Sequence, residues 1–383
     1  MRVSSVSFAN WRNLTSASCV MSPGINVLWG MNAQGKSNIL EGIYFFARGR
    51  SFRGSKEKEF IKFGEDFASV SMSFRKDGYS EDTDLSATIQ KTGKKILARN
   101  GATLASSSEM MGNFRAVLFA PSNLSLVAGG PLERRTFLDI AISQLSPLYL
   151  RYLKKYSVAL AERNALIKMA QDGKQVADEQ FDVFSMALSE YGAWICSFRN
   201  EYVSMLNSAV NGYFSEMTDG REVPVLKYAS HAVSENMPQP LTKEPAKGDT
   251  GVLYEKLSAN LEREIAAGST LWGIHKDDIS ISFNGHEAKP FASQGQQRSL
   301  ALSMKLAEAD ISAKIGSENP VILLDDVFSE LDINRRKFIL DTLGEKNNRQ
   351  IIITSCDPNV VPDGSFGNVN FLHVHAGEVD CGH

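Results

Sequence analysis

The chain has 383 residues, enough for two or three domains, and its 43% apolar and 22% charged residues are typical of a soluble globular protein. It has no run of 18 apolar residues and no signal-peptide core near its start, so we expect neither a transmembrane helix nor export. Four widely spaced cysteines favour reduced thiols in the cytoplasm. A net charge of −3 argues against a uniformly basic nucleic-acid binder, although 41 Lys and Arg residues leave room for a local basic face.

The first 125 residues predict several strands and one helix. "RVSSVSF" (2–8) alternates apolar and polar residues, and "SVSMSF", "LSATIQ" and "KKILARNGATL" are further strands between Gly and Asp turns. "INVLWG" (25–30) is a short buried strand. A helix follows it, with apolar residues at helical spacing (Ile39, Ile43 and Phe46).

The segment between that strand and that helix, "GMNAQGKS", fits the phosphate-loop pattern G-x-x-x-x-G-K-[ST]. Its glycines let several N–H groups point into one concavity, which binds phosphate together with the positive end of the helix. The lysine adds a charge, and the serine hydroxyl is a hard ligand for Mg²⁺. Because the flanking strand and helix are those that such a loop requires, a chance glycine turn is disfavoured. The predicted nucleotide-binding residues are Gly30, Met31, Asn32, Ala33, Gln34, Gly35, Lys36 and Ser37.

Basic residues cluster at two places and are candidates for contacts with the phosphates of a nucleic acid. The first group follows the helix, and the second opens the next part of the chain: Arg50, Arg53 and Lys56, then Arg134 and Arg135. The alternative for each is a solvated charged face without a ligand.

From 131 to about 214 the pattern becomes helical. Leu153, Tyr156, Leu160 and Ile167 step by 3, 4 and 7, and a second series with steps of 3 and 4 runs over 188–205. The polar stretch "QDGKQVADEQ" separates the two predicted helices, which can pack as an antiparallel pair. We interpret this segment as an inserted helical lobe, because its apolar pattern is too short for a projecting coiled-coil arm.

The rest of the chain returns to strands. The polar, proline-containing segment 230–251 predicts a loop, and a helix over 252–266 follows it. "DISISF", "VILLDD", "QIIITS" and "VNFLHV" are strands, and the middle two are continuous apolar runs typical of a parallel sheet buried on both faces. We therefore predict one α/β domain, residues 1–125 with 265–383, and an inserted, mainly helical domain, residues 126–264.

"FASQGQQRSLALSMKLAEAD" (291–310) starts a helix in an unusual way. Ser293 and Gln296 form the S-x-x-Q pattern of a capping box, which is a sufficient structural explanation. A simple cap does not need Gly295 or so many amide side chains. A serine hydroxyl and glycine N–H groups at a helix start also form a second phosphate receptor, and one without a lysine suggests that two protomers share each nucleotide. The predicted signature is Ser293, Gln294, Gly295, Gln296 and Gln297.

"VILLDDVFSELD" (321–332) is an apolar strand that ends in two aspartates. Asp325 is in the position to hold Mg²⁺ together with Ser37, and Asp326 is a candidate general base that polarises the attacking water. We accordingly predict Asp326 and Lys36 as catalytic residues. Asp332 either lies at a subunit junction or caps the next helix.

Several of these motifs occur together and in a fixed order. They are "GMNAQGKSNILEGIYF", "GRSFR", "GGPLERRTFLD", "GIHKDD", "FASQGQQRSLALSMKLAEA" and "LLDDVFSELD". In this combination the chain resembles the RecF family, which is related to SMC and ABC-type ATPases. The resemblance spans nearly the whole chain. It implies an α/β fold of the ABC-type P-loop ATPase head, with a mixed sheet, flanking helices, an antiparallel β part and an inserted helical lobe.

The resemblance also implies an activity and partners. The cofactors would be ATP and Mg²⁺, with ATP bound by residues 30–37 and two protomers joined by ATP and separated by slow hydrolysis. The implied partners are duplex DNA near single-strand/duplex junctions, and RecR with RecO, for loading recombinase onto gaps. No membrane partner is expected.

The chain departs from the family pattern at three places, and the sequence leaves two rival functions open. Ile274 stands where a proline is usual, Ser122 and Asn123 where acidic residues are usual, and "TSCD" (354–357) where transporter ATPases carry a histidine. The first rival is a stand-alone, kinase-like P-loop enzyme that works as a monomer. The second is an ATP-gated DNA clamp that scarcely hydrolyses ATP. Arg12 is a further candidate for nucleotide contact. His373, His375, Cys381 and His383 resemble metal ligands in type only, and "FLHVHAG" (371–377) predicts an edge strand.

Overall fold

The computed structural model describes residues 1–54, 56–218, 223–230, 250–331, 333–345, 348–361 and 369–381. Its strands are β1 (Arg2–Trp11), β2 (Leu14–Val20), β3 (Ile25–Trp29), β4 (Phe67–Arg75), β5 (Asp82–Gln90), β6 (Lys95–Arg99), β7 (Ala102–Thr103), β8 (Ala116–Phe119), β9 (Pro224–Ala229), β10 (Asp278–Phe283), β11 (His286–Glu287), β12 (Val321–Asp325), β13 (Ile351–Ser355), β14 (Asn370–His375) and β15 (Glu378–Cys381).

The helices complete the architecture. They are α1 (Lys36–Arg48), α2 (Ser107–Met110), α3 (Ser125–Ala128), α4 (Pro131–Leu145), α5 (Pro147–Gln171), α6 (Asp178–Thr218), α7 (Gly251–Ala259), α8 (Leu261–Ala267), α9 (Ala288–Phe291), α10 (Gln294–Gly316) and α11 (Ile333–Leu340). Short 3₁₀ turns cover Glu57–Phe60, Pro121–Leu124, Val327–Glu330 and Pro358–Val360, and a π turn covers Asp341–Glu345.

The chain forms two compact units. Unit 1 comprises Met1–Asn123 and Lys305–His383, and unit 2 comprises Leu124–Met304. The sequence predicts a different second boundary, between residues 264 and 265, and that division into domains stays a prediction.

A six-stranded, mostly parallel sheet lies at the centre of unit 1, in the order β15-β14-β3-β13-β12-β8. The strands β14, β3, β13, β12 and β8 pair in parallel, and only β15 runs antiparallel to its neighbour β14. All five residues of β12 and all five of β13 are buried, because both faces of the sheet are covered. The predicted parallel sheet is therefore confirmed.

A second sheet of unit 1 is antiparallel, in the order β2-β1-β4-β5-β6-β7. Helix α1 contacts strands of the parallel sheet and also packs against this second sheet, where a Cβ on Gly42 would lie 2.3 Å from Phe8. Gln350, fully buried next to β13, donates to the carbonyl of Val3 and accepts from its N–H, with distances of 2.8 and 2.6 Å. Because helix α1 contacts both sheets, it is buried nearly all round, which explains its largely apolar sequence.

Unit 2 is built on the long helices α5 and α6. Arg163 of α5 donates a hydrogen bond to Ser185 of α6, and Arg199 of α6 donates one to Tyr149 of α5. The partner on α6 moves towards the C-terminus as the residue on α5 moves towards the N-terminus, so the predicted antiparallel pair is confirmed. Helix α6 also packs on a three-stranded antiparallel sheet in the order β11-β10-β9. Buried aromatic residues line α6 from Phe181 to Phe214, which gives this unit a core of its own.

Three details differ from the sequence-based expectations. The predicted helix over 252–266 is two helices, because the side chain of Asn260 donates to the carbonyl of Lys256 at 2.8 Å and the backbone leaves the helical region there. Strand β9 was not predicted, and it pairs with β10, which lies in this small sheet rather than in the parallel one. Strand β14 was expected at an edge but lies between β3 and β15. Among the described residues, no helix is long and apolar enough to cross a bilayer.

Candidate nucleotide-binding site

The predicted phosphate loop lies at the carboxyl edge of the parallel sheet. Strand β3 ends at Trp29, and the loop then leads into α1 at Lys36. Strands β12 and β13 run parallel beside it, so Asp325 and Ser355 end at the same edge. In open α/β sheets, ligands bind outside this edge.

Two glycines of the loop are required by the local backbone. Gly30 has a φ of 151°, and a Cβ there would lie 2.2 Å from the carbonyl oxygen of Val374. Gly35 has a φ of 117°, and a Cβ there would lie 2.8 Å from the side chain of Leu14. No other residue fits either position without moving the backbone. The loop can therefore present its N–H groups to phosphate at the start of α1.

Lys36 is buried at the bottom of this loop and points back into it. Its Nζ donates to the carbonyl of Gly30 and, at 2.7 Å, to the carbonyl of Met31. It also lies 3.5 Å from the Sγ of Cys356. The ammonium is thus already held inside the concavity that a β- or γ-phosphate would fill.

Three segments far away in the sequence support the loop. Asn13 donates to the carbonyl of Ala33 at 3.3 Å and accepts from Asn38 at 2.7 Å. The backbone N–H of Ala376 donates to the side chain of Gln34 at 2.5 Å. Cys356 donates its thiol to the Oδ1 of Asn32 at 2.9 Å. Sequence reasoning missed these supports, although "TSCD" had been noted as a departure and the Ala-Gly turn at 376–377 was a visible signal.

Two aspartates, Asp325 and Asp326, lie at the carboxyl end of β12. Asp325 is buried, and its carboxylate accepts from the hydroxyl of Thr354 at 3.0 Å. The same hydroxyl accepts from the backbone N–H of Asp326 at 3.0 Å. Asp326 is exposed and has a φ of 51°. Thr354 thus contacts both aspartates and orients them, although the sequence analysis did not identify it. Asp332 lies outside the described residues.

The donor set at this edge fits Mg²⁺. The hydroxyl of Ser37 and the carboxylate of Asp325 are hard oxygen ligands, and Mg²⁺ takes its remaining ligands from water and nucleotide phosphates. In the described parts of the chain, no group of three or more His, Cys, Asp or Glu residues is arranged to hold a metal by itself. A magnesium ion here would therefore depend on the nucleotide.

The predicted signature belongs to unit 2 and forms a complete capping box. Ser293 Oγ accepts from the backbone N–H of Gln296 at 3.2 Å, and the Oε1 of Gln296 accepts from the N–H of Ser293 at 2.5 Å. Gln297 donates to the carbonyl of Ala292 at 3.0 Å. Ser293, Gln294 and Gly295 are exposed, and a Cβ on Gly295 would meet only Ser293, at 3.9 Å. Packing within the unit does not require this glycine, so another function accounts for it better.

The DNA candidates separate into two kinds. Arg50, Arg53 and Lys56 are exposed, and Arg53 donates to Asn38 at 2.8 Å, one residue after the phosphate loop. Arg134 is instead buried, and its guanidinium forms a bidentate pair with Asp278 at 2.7 and 2.8 Å.

A structural role also applies to two other basic candidates. Arg135 donates to the carbonyl of Asp277 at 2.7 Å. Arg12 forms a bidentate pair with the buried Glu41, at 2.9 Å for both bonds. For Arg12 and Arg134 the bidentate ion pair already accounts for the residue. The DNA contacts of Arg134 and Arg135 stay predictions, and the buried ion pair of Arg134 disfavours such a contact there.

The C-terminal histidines that resembled metal ligands lie on β14. The ring of His373 packs on Trp29 with 4.2 Å between ring centroids, and the ring of His375 follows at 6.2 Å from that of His373. His383 lies outside the described residues.

Comparisons with known proteins agree on one family. The RecF/RecN/SMC N-terminal domain model matches residues 2–375. The DNA replication and repair protein RecF of Bacillus cereus is 35% identical over 382 residues, covering 100% of this chain and 99% of that protein. RecF of a Thermoanaerobacter species is 36% identical over 334 residues, covering 87% and 89%.

Solved structures agree as well. A structure of the recombination mediator RecF with ATP, from the RecFOR pathway, superimposes with a TM-score of 0.89 at 32% identity, covering 100% of this chain and 98% of that chain. An SMC head domain superimposes with a TM-score of 0.54 at 14% identity, covering 99% and 96%, which shows the fold alone. The predicted fold class, an ABC-type ATPase head, is confirmed.

Proposed function

The chain belongs to the RecF family of SMC-type ATPases, and from this premise we propose that it is an ATP-binding protein of DNA replication and recombinational repair. The observation that carries the proposal is the meeting of Lys36, Asp325 and Asp326 at one edge of the parallel sheet of unit 1. The relatives are described as DNA replication and repair proteins and as a RecF bound to ATP, which supports the same assignment.

In this proposal each residue of the edge has one task. Residues 30–37 bind the phosphates, and Lys36 turns its ammonium from the loop carbonyls to the β- and γ-phosphate oxygens. When bound, Mg²⁺ supplies charge neutralisation on those oxygens, held by Ser37 and Asp325. Asp326 accepts the proton of the attacking water. Turnover is slow and depends on DNA, so ATP serves as a switch.

The proposed consequence of ATP binding is a pair of protomers. Ser293 and Gly295 of one copy close over the γ-phosphate held by the loop of the other, and two-fold symmetry gives two such sites. ATP then stabilises the pair by mass action, because it binds the closed pair better than the single protomer. The pair holds duplex DNA near single-strand gaps and, with RecO and RecR, helps to load recombinase in the cytoplasm.

Light scattering tests this function directly. The molar mass is measured without nucleotide, with ADP and with ATP and Mg²⁺, each with and without duplex DNA. We expect a dimer in ATP and Mg²⁺, with or without duplex DNA, and a monomer without nucleotide or in ADP. A monomer in saturating ATP and Mg²⁺ contradicts the proposal and favours a kinase-like enzyme.

Ser293→Arg places a bulky side chain at the γ-phosphate contact, so this variant should bind ATP through its intact loop and remain monomeric. It also removes a helix cap, which costs about 1 kcal/mol of stability. Ser146→Ala is the matched control, because Ser146 caps α5 by accepting from Tyr149 at 3.2 Å. Dimerisation of Ser293→Arg equal to that of the control contradicts the role of Ser293.

A further inference from the structure

Two exposed hydrophobic side chains stand beside the two elements that would grip the nucleotide. Met31, the second residue of the phosphate loop, is 77% exposed. Phe291, at the end of α9 and two residues before Ser293, is 73% exposed. Single exposed apolar side chains are common on protein surfaces, so what distinguishes Met31 and Phe291 is their position beside the two phosphate-binding candidates and not their exposure alone.

A small cavity opens beside Phe291. It has a volume of about 250 Å³, and its lining includes Phe283, His286, Phe291 and Gln296. The rings of His286 and Phe291 lie 5.7 Å apart, and Gln296 is the side chain that closes the capping box at Ser293. Pockets for small molecules usually measure about 300–1,000 Å³. The size of this cavity therefore fits a single side chain better than a nucleotide.

We propose that, in the ATP-bound pair, Met31 of one copy inserts into the cavity formed by Phe291 and His286 of the other copy. This inference rests on the proposed function, in which residues 30–37 of one copy meet Ser293 of the other. Two residues span at most about 7 Å of chain. Any surface that comes within hydrogen-bonding distance of Ser293 therefore also comes close to Phe291.

The chemistry of the two side chains favours this occupant. Methionine is flexible and polarisable, fills irregular gaps and makes favourable sulfur contacts with aromatic rings. Two-fold symmetry duplicates the contact, so each pair of protomers would bury two methionines and two phenylalanines. The contact joins the nucleotide loop to the signature without touching the phosphates, and so it couples loop position to dimerisation.

The first test compares two exposed phenylalanines. Phe291→Ala should raise the dimer dissociation constant in ATP at least about tenfold, because two contacts are lost in each pair. Phe63→Ala is the control, since Phe63 is fully exposed but lies outside the loop and the signature. Sedimentation equilibrium in ATP and Mg²⁺ gives both constants, and equal constants for Phe291→Ala and Phe63→Ala overturn the contact.

The second test is a cross-link between copies, in a background where Cys381 is replaced by serine and Cys356, which supports the loop, is kept. Copies of this background alone report any linkage through Cys356. Copies with Met31→Cys are mixed with copies that carry Phe291→Cys or, as control, Phe63→Cys. We expect a disulfide-linked dimer between Met31→Cys and Phe291→Cys copies in ATP, none in ADP, and none with the control.

The outcomes separate this inference from the proposed function. If wild type dimerises in ATP while Phe291→Ala pairs normally and the cross-link fails, the contact is wrong and the ATP-driven pair stands. If Phe291→Ala changes the preference for ATP over GTP without a Met31 cross-link, the cavity holds the nucleobase instead and the contact is again wrong. If wild type never dimerises, the proposed function fails together with the contact.

Discussion

Lys36 shows how the phosphate loop is organised around one charge. Its Nζ already donates to the carbonyl of Met31 at 2.7 Å inside the concavity, so a phosphate needs only to replace carbonyl acceptors. Lys36→Ala should lower nucleotide affinity at least about tenfold, since a charge-assisted hydrogen bond contributes about 1.5–3 kcal/mol. Titration with a fluorescent ATP analogue measures this, with Lys314→Ala as an exposed-lysine control. Unchanged affinity means that the loop is not the binding site.

Asp326 is suited to a conservative substitution. Its φ of 51° lies in the left-handed region, which asparagine also adopts readily, so Asp326→Asn removes the carboxylate without new backbone strain. Hydrolysis should fall about 100-fold or more, while ATP binding survives and the ATP-bound pair lives longer. Phosphate release under single-turnover conditions gives the rate.

Asp357→Asn is the control for Asp326→Asn. Asp357 is an exposed carboxylate at the end of the neighbouring strand, where it accepts from the N–H of Asn359 at 2.9 Å. A wild-type rate in Asp326→Asn shows that another residue orients the water.

Two arginines show that a sequence motif does not reveal which partner a charged side chain has in the folded protein. Arg12 and Arg134 both stand in motif-like segments, and each pairs with a carboxylate, Glu41 and Asp278, that lies 29 and 144 residues further along the chain. Composition alone cannot distinguish such a pair from a phosphate contact. The proposed nucleotide-binding residues, Gly30 to Ser37, follow from spacing because a phosphate loop is built within eight consecutive residues.

At the scale of elements, continuous apolar runs were the most reliable signal. Strands β12 and β13 were predicted because burial on both faces requires uninterrupted apolar sequence. Helix α1 was predicted from the helical spacing of Ile39, Ile43 and Phe46. Strand β9 was not predicted, because it is only six residues long and its partner β10 begins far along the chain, at Asp278. The break between α7 and α8 depends on one side-chain bond of Asn260, which apolar periodicity does not reveal.

The segment between α8 and β10 carries a histidine held neutral by its surroundings. His275 accepts at Nδ1 from the hydroxyl of Tyr156, at 2.8 Å, and donates from Nε2 to the carbonyl of Thr270, at 3.1 Å. The pKa of His275 is lowered to about 4, chiefly by burial and also by the nearby charges of Lys276, Arg135 and Arg163, against the bond to Thr270, which raises it.

The folding free energy should depend on pH through this histidine. The native pKa lies below the unfolded value of about 6.5, so the unfolded chain binds more protons between about pH 6.5 and pH 4. The free energy of unfolding is therefore highest above pH 6.5 as far as His275 is concerned. It falls as the pH falls towards 4, by at most roughly 3 kcal/mol.

Urea unfolding at several pH values checks this dependence. His275→Gln should flatten the slope over that range, whereas His286→Gln, an exposed histidine of the same unit, should leave it unchanged. Equal slopes in wild type and His275→Gln contradict the assignment.

At the scale of the whole molecule, the two proposed phosphate-binding elements belong to different units. The loop and the acidic pair lie in unit 1, and Ser293 lies in unit 2. Sequence motifs predicted each element but not its supports. Asn13, Cys356 and Ala376 converge on the loop from both ends of the chain, so their roles follow only from the folded sheet.

DNA binding should follow from the exposed basic segment that leaves the nucleotide site. Arg50, Arg53 and Lys56 are exposed in unit 1, and Arg53 reaches Asn38 at the start of α1. We expect binding that requires ATP, shows little sequence preference and weakens with salt by a log–log slope of roughly −0.9 per phosphate contact. Fluorescence anisotropy of a labelled duplex between 50 and about 200 mM salt measures the slope.

Arg50→Ala, Arg53→Ala and Lys56→Ala together should make that slope less negative by up to about 2.7, because each removed cation releases about 0.9 fewer counterions. Lys314→Ala, an exposed cation elsewhere in unit 1, should leave it unchanged. Arg134→Ala should instead lower the unfolding free energy, because it leaves Asp278 without its bidentate partner. If the triple variant keeps the wild-type slope, or if wild-type binding is insensitive to salt, the DNA surface lies elsewhere.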